Sequence, residues 1–499
     1  MTRRSGPPIG SAAPELVESG FTLENADAPF LHEGLNLADI AHVLDLLRRG
    51  IIPSHAARKL LALLLEIYPT AAEDFPYDPE FGEPYNSRER FFVERLGDVA
   101  GWLHAGRPRR EAARIALRLC LRSLLLELVA EIARSARDAT DLAARHSTTL
   151  MPDQTYLQQA QPSTFGHYVL SFAYPVLRDG TRLLEELDWV NRSPGGAGCV
   201  NGTRLLDDRG FIASALGFDD VIEHTRDAMW QIDGLIHILA TAASLLSTLS
   251  KLAEDLEIWS SSEFDFVDLD DAYTRSSILM PQKRNPYSLA IVRGASGVLI
   301  GRLTGFLAVA KSPSARSDNL IFAYGEVPRA LDLSIRVTRL MTGVVRTLRV
   351  NADRMREELD AGYTQATDLT EYIVQACDVD YRSAYVVVGN TVREASRRGI
   401  AGKDITGELL DETALAETGR AWGLTGRDLS GVLDPMSIVA TRSATGGAAP
   451  SAVATMVTQC QERAGGLAAT VAARREDLDR ATESLLASAR QASSVTEQS

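Results

Sequence analysis

The stretch that decides the fold runs from Glu111 to Ala144 and reads EAARIALRLCLRSLLLELVAEIARSARDATDLAA. Its apolar residues recur at spacings of three and four with almost no helix-breaking residue, which is the pattern of a long amphipathic helix. Segments 227–259 and 286–311 repeat this pattern, whereas no comparable alternating run predicts a strand. Helices of about 30 residues extend about 45 Å and are typical of helical bundles. The sequence therefore predicts an all-α fold built on long central helices.

The chain has 499 residues, and a typical domain size of about 150 residues predicts about three domains. The middle of the chain is dense in helical pattern, and the pattern breaks near Gly106 and Gly362. We therefore expect an N-terminal helical domain over residues 1–109, a central helical bundle over 110–362 and a C-terminal helical domain over 363–499.

Composition narrows the class of partner. The 66 acidic and 52 basic residues give a net charge of −14, which disfavours nucleic acid and anionic membranes as partners. The four cysteines form no closely spaced pair, so the sequence predicts neither a disulfide framework nor a zinc site. We see no signal segment and no run of about 18 uncharged apolar residues that would span a membrane. These features predict a cytoplasmic protein.

Four glycines recur at intervals of three and four on the predicted helix 286–311, namely Gly294, Gly297, Gly301 and Gly305. Each glycine costs a helix about 1 kcal/mol relative to alanine. Their repetition on one face indicates the close approach of a neighbouring helix backbone. Chance is the alternative in a chain with 37 glycines.

Polar segments that contain glycine interrupt the helices at residues 103–111, 151–167, 193–203 and 273–286. The last of them contains RSSILMPQKRNP, from Arg275 to Pro286, and with it one of only five lysines in the chain. Hydroxyls, the ammonium of Lys283 and the amide of Asn285 precede a helix that Pro286 is suited to open. Such a loop can bind a carboxylate, although a well-capped helix start would also have this composition.

The segment RSSILMPQKRNP closely resembles GSSxMPxKxNP, the signature of the aspartase/fumarase superfamily, and we call residues 275–286 the signature loop. Further segments resemble the argininosuccinate lyase branch of that superfamily. They are LHAGRPRRE (103–111), MPDQTYLQQAQPSTFGH (151–167), LAEDLEIWSSSEFDFVDLDDAY (252–273), GYTQATDLTEYIV (362–374) and LDPMSIVATRSATGGAAPSAV (433–453). The glycine-rich segment 193–203 resembles a turn of the same family, and it lacks the strand that a nucleotide-binding loop requires.

The resemblance implies an all-α subunit of three domains whose central helices form a homotetramer, with each active site built from three subunits. It implies anti elimination across a Cα–Cβ bond of a succinyl-type dicarboxylate substrate, with release of fumarate and with no metal or organic cofactor. The general base is then Ser277, which lies six residues before Lys283, and Ser276 occupies the position of the family glycine.

The reaction that the resemblance implies places clear demands on the site. The proton is removed from a carbon next to a carboxylate, so the transition state resembles a doubly charged aci-carboxylate that needs cations and hydrogen-bond donors. Serine is a weak base unless its oxyanion is stabilised. The predicted carboxylate-binding and substrate-binding residues are Arg109, Arg110, Thr155, Gln161, Ser276, Lys283 and Asn285. Together with Arg107, these cations predict a locally basic site in an acidic chain.

Several residues depart from the family pattern. Tyr156 replaces the family histidine after Thr155, and a phenol with a pKa near 10 is a different proton carrier. Arg110 replaces an asparagine, so it either binds a more anionic substrate or pairs with Glu111 or another acid. His224 is a candidate to replace the missing imidazole.

The segment 311–326 has lost the family residues that hold the arginine moiety, with Ser317, Asn319 and Leu320 at those positions and Arg316 and Asp318 nearby. We therefore predict a carbon–nitrogen lyase that releases fumarate from a succinylated or aspartate-derived amine in a specialised biosynthetic pathway. The alternatives are a genuine argininosuccinate lyase and a non-catalytic tetrameric relative. The second alternative arises because a fold can be kept after its catalytic residues are lost.

Overall fold

The computed structural model describes residues 12–311 and 320–494. Its α-helices in chain order are α1 (Pro14–Leu16), α2 (Thr22–Asn25), α3 (Ala28–Arg48), α4 (Ser54–Ile67), α5 (Pro84–Leu96), α6 (Arg109–Arg145), α7 (Phe165–Val190), α8 (Gly210–Ala215), α9 (Thr225–Trp230), α10 (Asp233–Trp259), α11 (Tyr287–Ala310), α12 (Glu326–Thr347), α13 (Ala352–Ala361), α14 (Ala366–Cys377), α15 (Tyr381–Arg398), α16 (Gly407–Thr418), α17 (Gly426–Leu433), α18 (Pro435–Thr441) and α19 (Pro450–Ser494).

Short 3₁₀ turns cover Ala72–Asp74, Pro79–Phe81, Gly97–His104, Asp271–Tyr273, Leu320–Phe322 and Gly402–Asp404, and one π-helical turn covers Val17–Phe21. The strands pair two by two: β1 (Leu150–Thr155) with β2 (Gln158–Thr164), β3 (Arg192–Ser193) with β4 (Asp220–Val221), β5 (Val267–Asp268) with β8 (Arg349–Val350), and β6 (Arg275–Ser276) with β7 (Arg284–Asn285). The prediction of an all-α fold is thereby confirmed.

A bundle of α6, α7, α10, α11 and α12 forms the centre of the chain. Along α6 the side chains of Leu121, Leu125, Leu128 and Ile132 are completely buried at spacings of three and four. This is the core-facing stripe that the sequence predicts. The helix predicted over 227–259 is divided, because the short helix α9 ends at Trp230 and α10 begins at Asp233.

The hairpin of β1 and β2 occupies a segment that the sequence analysis treated as a polar loop. Its residues, LMPDQT and QQAQPST, lack the alternation of apolar and polar side chains that marks a half-buried strand. The strands form because residues Thr155 and Gln158 pair across a turn of two residues. The hairpin therefore depends on its turn and on its backbone ladder more than on a buried apolar face.

Two further apolar clusters flank the bundle. One joins α3 and α4 to the last buried residues of α19, including Leu485 and Leu486. The other contains residues from α14 to α17, among them Leu369 and Leu410. The domain boundaries at 109 and 362 stay a prediction.

Helices α10 and α11 are long and apolar enough to cross a membrane by length and composition alone. The most apolar window of α10 is 56% buried inside the chain, and that of α11 is 33% buried. The apolar character of α10 therefore follows from its place in the core. The apolar character of α11 has a different cause, because most of its apolar window is not buried inside the chain.

Backbone contact at Gly34 fixes how α3 crosses α6. A Cβ atom on Gly34 would lie 2.6 Å from Ala116 Cα and 2.8 Å from Ala116 O. By contrast, a Cβ atom on Gly389, inside α15, would have no atom within 4 Å.

We expect Gly34→Ala to destabilise the protein by about 1–3 kcal/mol, because the two helix backbones would have to move apart. Gly389→Ala should stabilise it by up to about 1 kcal/mol through helix propensity. The midpoints of thermal unfolding of the two variants and of the unmodified protein measure both effects. Equal stabilities for the two variants would contradict the close contact between α3 and α6.

Candidate active site

The signature loop is a small hairpin whose backbone holds Ser277 in place. Its flanks pair as β6 and β7, and the amide of Ser277 donates to the carbonyl of Lys283 at 3.3 Å. Within the loop, the amide N–H of Met280 donates to Ser277 Oγ at 3.0 Å. A backbone N–H aimed at this oxygen stabilises negative charge on it. The loop thus supplies one hydrogen-bond donor to Ser277 Oγ.

The tip of the signature loop extends into solvent. Ile278 is fully exposed and Leu279 is 86% exposed. The side-chain ammonium of Lys283 makes no hydrogen bond or ion pair with a residue that the structure describes. Its neighbour Arg284, in contrast, is held by Asp268 at 2.9 Å and Asp271 at 2.7 Å. The ammonium of Lys283 thus remains available to an anion, whereas Arg275 lies over the ring of Tyr287, with its guanidinium carbon 5.0 Å from the ring centroid.

Ser276 and Asn285 complete the loop. Ser276 ends β6 and is exposed. The amide of Asn285 donates through Nδ2 to the carbonyl of Arg275 at 2.8 Å. Pro286 precedes the first residue of α11 as its N-cap, one position before the place the sequence predicts. This bond uses one of the two Nδ2–H groups of Asn285, so the other N–H and Oδ1 remain available to a substrate.

The β1–β2 hairpin presents Tyr156 at its tip. Both turn residues have positive φ, 55° at Tyr156 and 57° at Leu157, as a type I′ turn requires. Such a conformation costs a side chain other than glycine about 1–3 kcal/mol, and it often marks functional positions. Tyr156 is completely exposed. Thr155, which precedes it, and Gln161, which pairs with Asp153 farther from the turn, are exposed as well.

The hairpin and the signature loop lie at the same end of the bundle. Trp259, the last residue of α10, donates its indole N–H to Gln154 Oε1 in the hairpin at 3.3 Å. The segment that follows α10 leads through β5 into the signature loop. At the start of α11, Arg293 bridges to Glu257 of α10 at 2.6 Å. The chain thus brings these two elements to one end, without a hydrogen bond between Ser277 and Tyr156 among the described residues.

Arg109 is the first residue of α6, whereas the β1–β2 hairpin follows the last residue of that helix. Its guanidinium binds Asn86 and lies 3.4 Å from Glu83. It lines an open cleft together with His104 and with Gly198 and Thr203 of the glycine-rich segment. Helix α6 has 37 residues, so Arg109 and the hairpin that follows the helix are about 55 Å apart. One chain therefore does not bring Arg109 and Ser277 into one site.

Arg107 lies at the cleft that Arg109 lines, but its guanidinium is held by structural contacts, and its part in a locally basic site stays a prediction. Its side chain is 1% exposed and binds Asp39, the Tyr85 hydroxyl at 2.8 Å and the carbonyl of Ala38 at 3.0 Å. Asp39 also accepts from Arg88 at 2.8 Å. Burial raises the pKa of the Asp39 carboxyl, but the two guanidiniums outweigh that effect and hold the pKa below its usual range. The cluster anchors the motif 103–111 to α3.

Glu111 has a structural partner that the sequence analysis missed. Its two carboxylate oxygens accept the amide N–H groups of Gly196 and Gly198, each at 2.7 Å. The proposed ion pair between Arg110 and Glu111 is therefore wrong. Burial raises the pKa of Glu111 to about 7, although the two amides and Arg107 act in the opposite direction. The available signal was an acidic residue at a helix start together with a glycine-rich segment that has free amides.

His224 is the N-cap of α9. Its Nδ1 accepts the amide N–H groups of Arg226 at 3.2 Å and Asp227 at 3.4 Å, so the neutral imidazole carries its proton on Nε2. Helix α9 contacts the start of α6, where Arg114 donates to the carbonyl of Met229 at 3.4 Å. His224 thus belongs to the Arg109 end of the bundle, and its catalytic assignment stays a prediction.

The sequence is similar to known lyases over most of its length. Residues 82–301 match a family described as lyase, and residues 363–440 match one described as argininosuccinate lyase C-terminal. The argininosuccinate lyase of Methanococcoides burtonii is 34% identical over 431 residues, which cover 86% of each chain. That of Methanosarcina acetivorans is 33% identical over 452 residues, which cover 90% of each chain.

The structure of EDDS lyase in complex with formate superimposes with a TM-score of 0.87 and 30% identity, covering 97% of this chain and 96% of that one. The 3-carboxy-cis,cis-muconate lactonizing enzyme from Pseudomonas putida, at 21% identity, gives a TM-score of 0.71 over 88% of this chain and 96% of that one, and it shares the fold. Fold and signature loop thus define a fumarate lyase-type enzyme. The chain belongs to the argininosuccinate lyase family of the aspartase/fumarase superfamily, and it is a carbon–nitrogen lyase.

The raised pKa of Glu111 makes stability depend on pH. The folded carboxyl titrates near pH 7 and the unfolded one near pH 4.5, so the native state binds more protons between these values and this contribution falls as pH rises through them. Relative to Glu111→Gln, the unmodified protein should therefore lose about 2 kcal/mol between pH 5 and pH 8. Thermal unfolding of both proteins at the two pH values measures the change. A gap between the two midpoints that is the same at both values would contradict titration at Glu111.

Proposed function

We propose that the protein eliminates fumarate from a succinylated or aspartate-derived amine by anti elimination, with Ser277 as the general base. The observation that carries this proposal is the hydrogen bond from the Met280 amide to Ser277 Oγ, in a loop where the ammonium of Lys283 has no partner among the described residues. An N–H donor and a nearby cation lower the pKa of a serine hydroxyl, because both stabilise the alkoxide. The loop therefore supplies what a serine base requires.

In the proposed reaction, Ser277 takes the proton from the carbon next to a carboxylate. The electron pair moves into that carboxylate as a dianionic aci-carboxylate, and the carbon–nitrogen bond then breaks, leaving fumarate and a protonated amine. Lys283 and Asn285 stabilise the dianion, and Ser276, Thr155, Gln161 and Arg109 bind the carboxylates. Movement of the exposed loop tip toward the substrate would exclude water from the site.

The leaving amine needs a proton donor. Tyr156 offers a hydroxyl at an exposed turn, and His224 offers an Nε2–H because its Nδ1 is occupied by two amides. We propose these two residues as the candidates for the donor. Tyr156→Phe and His224→Asn separate the two candidates, because only the variant that lacks the donor should lose elimination activity.

We further propose that the site is assembled from several copies of the chain. Within one chain α6 holds Arg109 and the hairpin about 55 Å apart. Helix α11 supports this proposal, because a Cβ atom on any of its four regularly spaced glycines would have no atom of the described chain within 4 Å. The backbone approach that the glycines predict is thus not made within the chain. A homotetramer joined through α11 supplies both the missing neighbour and the missing site residues.

A genuine argininosuccinate lyase is the second candidate, and the 34% identity to the argininosuccinate lyase of Methanococcoides burtonii favours it. Tyr156 and Arg110 favour a different amine, because both change residues that the family pattern uses at the substrate. Residues Arg316 to Asn319, where the sequence analysis placed the loss of arginine recognition, lie outside the described residues, and Leu320 begins the next turn. We propose a cytoplasmic location and a dicarboxylate substrate in either case.

The test is to incubate the protein with argininosuccinate and with a panel of N-succinyl amines while fumarate absorbance is recorded. We expect fumarate from at least one N-succinyl amine at a rate at least tenfold above that from argininosuccinate. Ser277→Ala should lower the rate at least 1,000-fold, because the base is lost. Ser430→Ala, in α17 and outside the residues assigned to the site, is the control and should keep full activity.

Two outcomes would overturn the first choice. Faster turnover of argininosuccinate that is lost in Ser277→Ala would make the protein a genuine argininosuccinate lyase. No fumarate and no ligand binding from any member of the panel would favour the non-catalytic relative.

Assembly through α11 is tested with Gly301→Phe. A large side chain at an open position should leave the single chain folded but prevent close helix approach, so the assembly should dissociate and lose at least 90% of its activity. Gly465→Phe, at an open position on α19, is the control and should change neither. Light scattering measures the mass of each variant. An intact assembly in Gly301→Phe would place the interface elsewhere.

A further inference from the structure

The glycine-rich segment 193–203 forms part of the wall of the cleft that Arg109 lines. The cleft has a volume of about 570 Å³, which lies within the range of about 300–1,000 Å³ that is typical of small-molecule sites. It is lined by residues 106–109 at the start of α6 and, from the segment, by Gly198, Cys199, Gly202 and Thr203. The position of the segment therefore helps to set the shape of the cleft.

Glu111 holds two amides of this wall. Its side chain is completely buried and accepts the N–H groups of Gly196 and Gly198, each at 2.7 Å. Hydrogen bonds to a charged acceptor are about twice as strong as those between neutral groups. Gly198 has a φ of 63°, and a Cβ atom on it would lie 2.6 Å from the carbonyl oxygen of Gly202. This close turn links the position of Glu111 to that of Gly202, which lines the cleft.

Side chains from the region of α8 and α9 hold carbonyl groups of the same segment. The bonds run from Arg209 to the carbonyl of Gly195 at 2.8 Å, from Thr225 to that of Val200 at 3.0 Å and from Trp230 to that of Cys199 at 2.9 Å. The segment is thus held between α6, which accepts two of its N–H groups, and the α8–α9 region, which donates to its carbonyls. Loss of a bond to Glu111 would leave the segment free to shift on the side of α6.

We infer that Glu111 is a positioning residue, whose ionised carboxylate holds the glycine-rich wall in the shape that accepts a dicarboxylate beside Arg109. A protonated carboxyl keeps one good acceptor oxygen and gains an O–H that needs an acceptor of its own, so one of the two glycine amides loses its partner. The affinity for a dicarboxylate therefore follows the charge of Glu111, although Glu111 does not touch the substrate. This inference rests on the proposed function, in which Arg109 binds a substrate carboxylate.

The charge of Glu111 changes near neutral pH. Burial raises its pKa to about 7, against the opposing effect of the two amides and of Arg107 and Arg209. Both guanidiniums keep their charge at these pH values. Asp39, which pairs with Arg107, stays ionised because its pKa lies below the usual range. Of these groups, Glu111 is therefore the one that titrates.

His104 also lines the cleft and lies 3.2 Å from Glu89. Protonation of an imidazole adds positive charge as pH falls, so an effect of His104 would strengthen the binding of an anion at low pH. Protonation of Glu111 weakens that binding. The sign of the pH dependence therefore separates the two residues.

The test measures binding of fumarate, which is a dianion over the whole range used, to the intact, assembled protein by calorimetry at pH 6.0 and pH 8.5. A carboxyl with a pKa of about 7 is about 10% ionised at the lower pH and almost fully ionised at the higher one. We expect the unmodified protein to bind fumarate about fivefold more tightly at pH 8.5. This comparison needs no variant, so it is decisive even where a variant fails to fold.

Variants then assign the effect to Glu111. Glu111→Gln resembles the protonated carboxyl, so it should weaken fumarate about fivefold at pH 8.5 and remove the pH dependence. Glu111→Asp keeps the charge and should keep a rise of affinity with pH. Hydrogen–deuterium exchange of the peptide that covers residues 193–203 should be faster in Glu111→Gln than in the unmodified protein at the same pH, because an amide has lost its acceptor.

Glu131→Gln is the matched control. It replaces another buried carboxylate of α6, which binds Arg339 at 2.9 Å. It should change neither the fumarate affinity at either pH nor the exchange of residues 193–203.

Equal fumarate affinities of the unmodified protein at the two pH values would overturn the inference, and so would tighter binding at pH 6.0 or no binding at pH 8.5. None of these results decides the lyase proposal, which depends on fumarate release and on its loss in Ser277→Ala. Conversely, the expected pH dependence in a protein that releases no fumarate from any substrate would leave the role of Glu111 standing and remove the proposed reaction. The two proposals therefore fail separately.

Discussion

The rest of the structure depends on the uninterrupted length of α6. The helix is held by a completely buried stripe of leucine and isoleucine side chains, and a rigid helix of this length fixes the distance between its ends. At its first turn lie Arg109, Arg110 and Glu111, and just beyond its last turn the hairpin of Tyr156 begins. Because the core makes the helix rigid, no bending of a single chain can join the two groups of residues.

The same constraint separates two kinds of positive charge. Arg107 is part of the buried cluster with Asp39 and Tyr85 and holds the N-terminal elements against α6. Lys283 and Arg110 have no such partners among the described residues and remain available to anions. Net charge therefore says little about the site, since what matters is which cations the fold leaves unpaired. In an acidic chain, a cation without an ion-pair partner is therefore a better candidate for binding an anionic substrate than a cation in a buried ion pair.

The long helices and the signature loop could be predicted because both are local in sequence. Apolar spacing specifies α6, α10 and α11 within a residue or a few residues, and the order of residues in the loop is specific. The hairpin was missed because its strands have no alternating pattern and its turn uses Tyr156 and Leu157 instead of asparagine and glycine. The roles of Arg107 and Glu111 were missed because their partners lie 68 and 85 residues away. A charge at a helix start has the same sequence pattern whether its partner is a substrate, a buried acid or a backbone amide.

The open face of α11 has a consequence for how the protein behaves on dilution. Besides its glycines, this helix exposes 46% of Val298, 51% of Ile300 and 47% of Leu307 in the single chain. Burial of such side chains contributes about 25 cal/mol for each Å² removed from water, and the chain gains this free energy only when another surface covers the helix. If the chain assembles through α11, as proposed above, its apparent melting temperature rises with protein concentration, because association and folding are linked by mass action. The time that a newly made chain spends unassembled depends on protein concentration. During that time the apolar face of α11 is exposed and can bind other proteins nonspecifically.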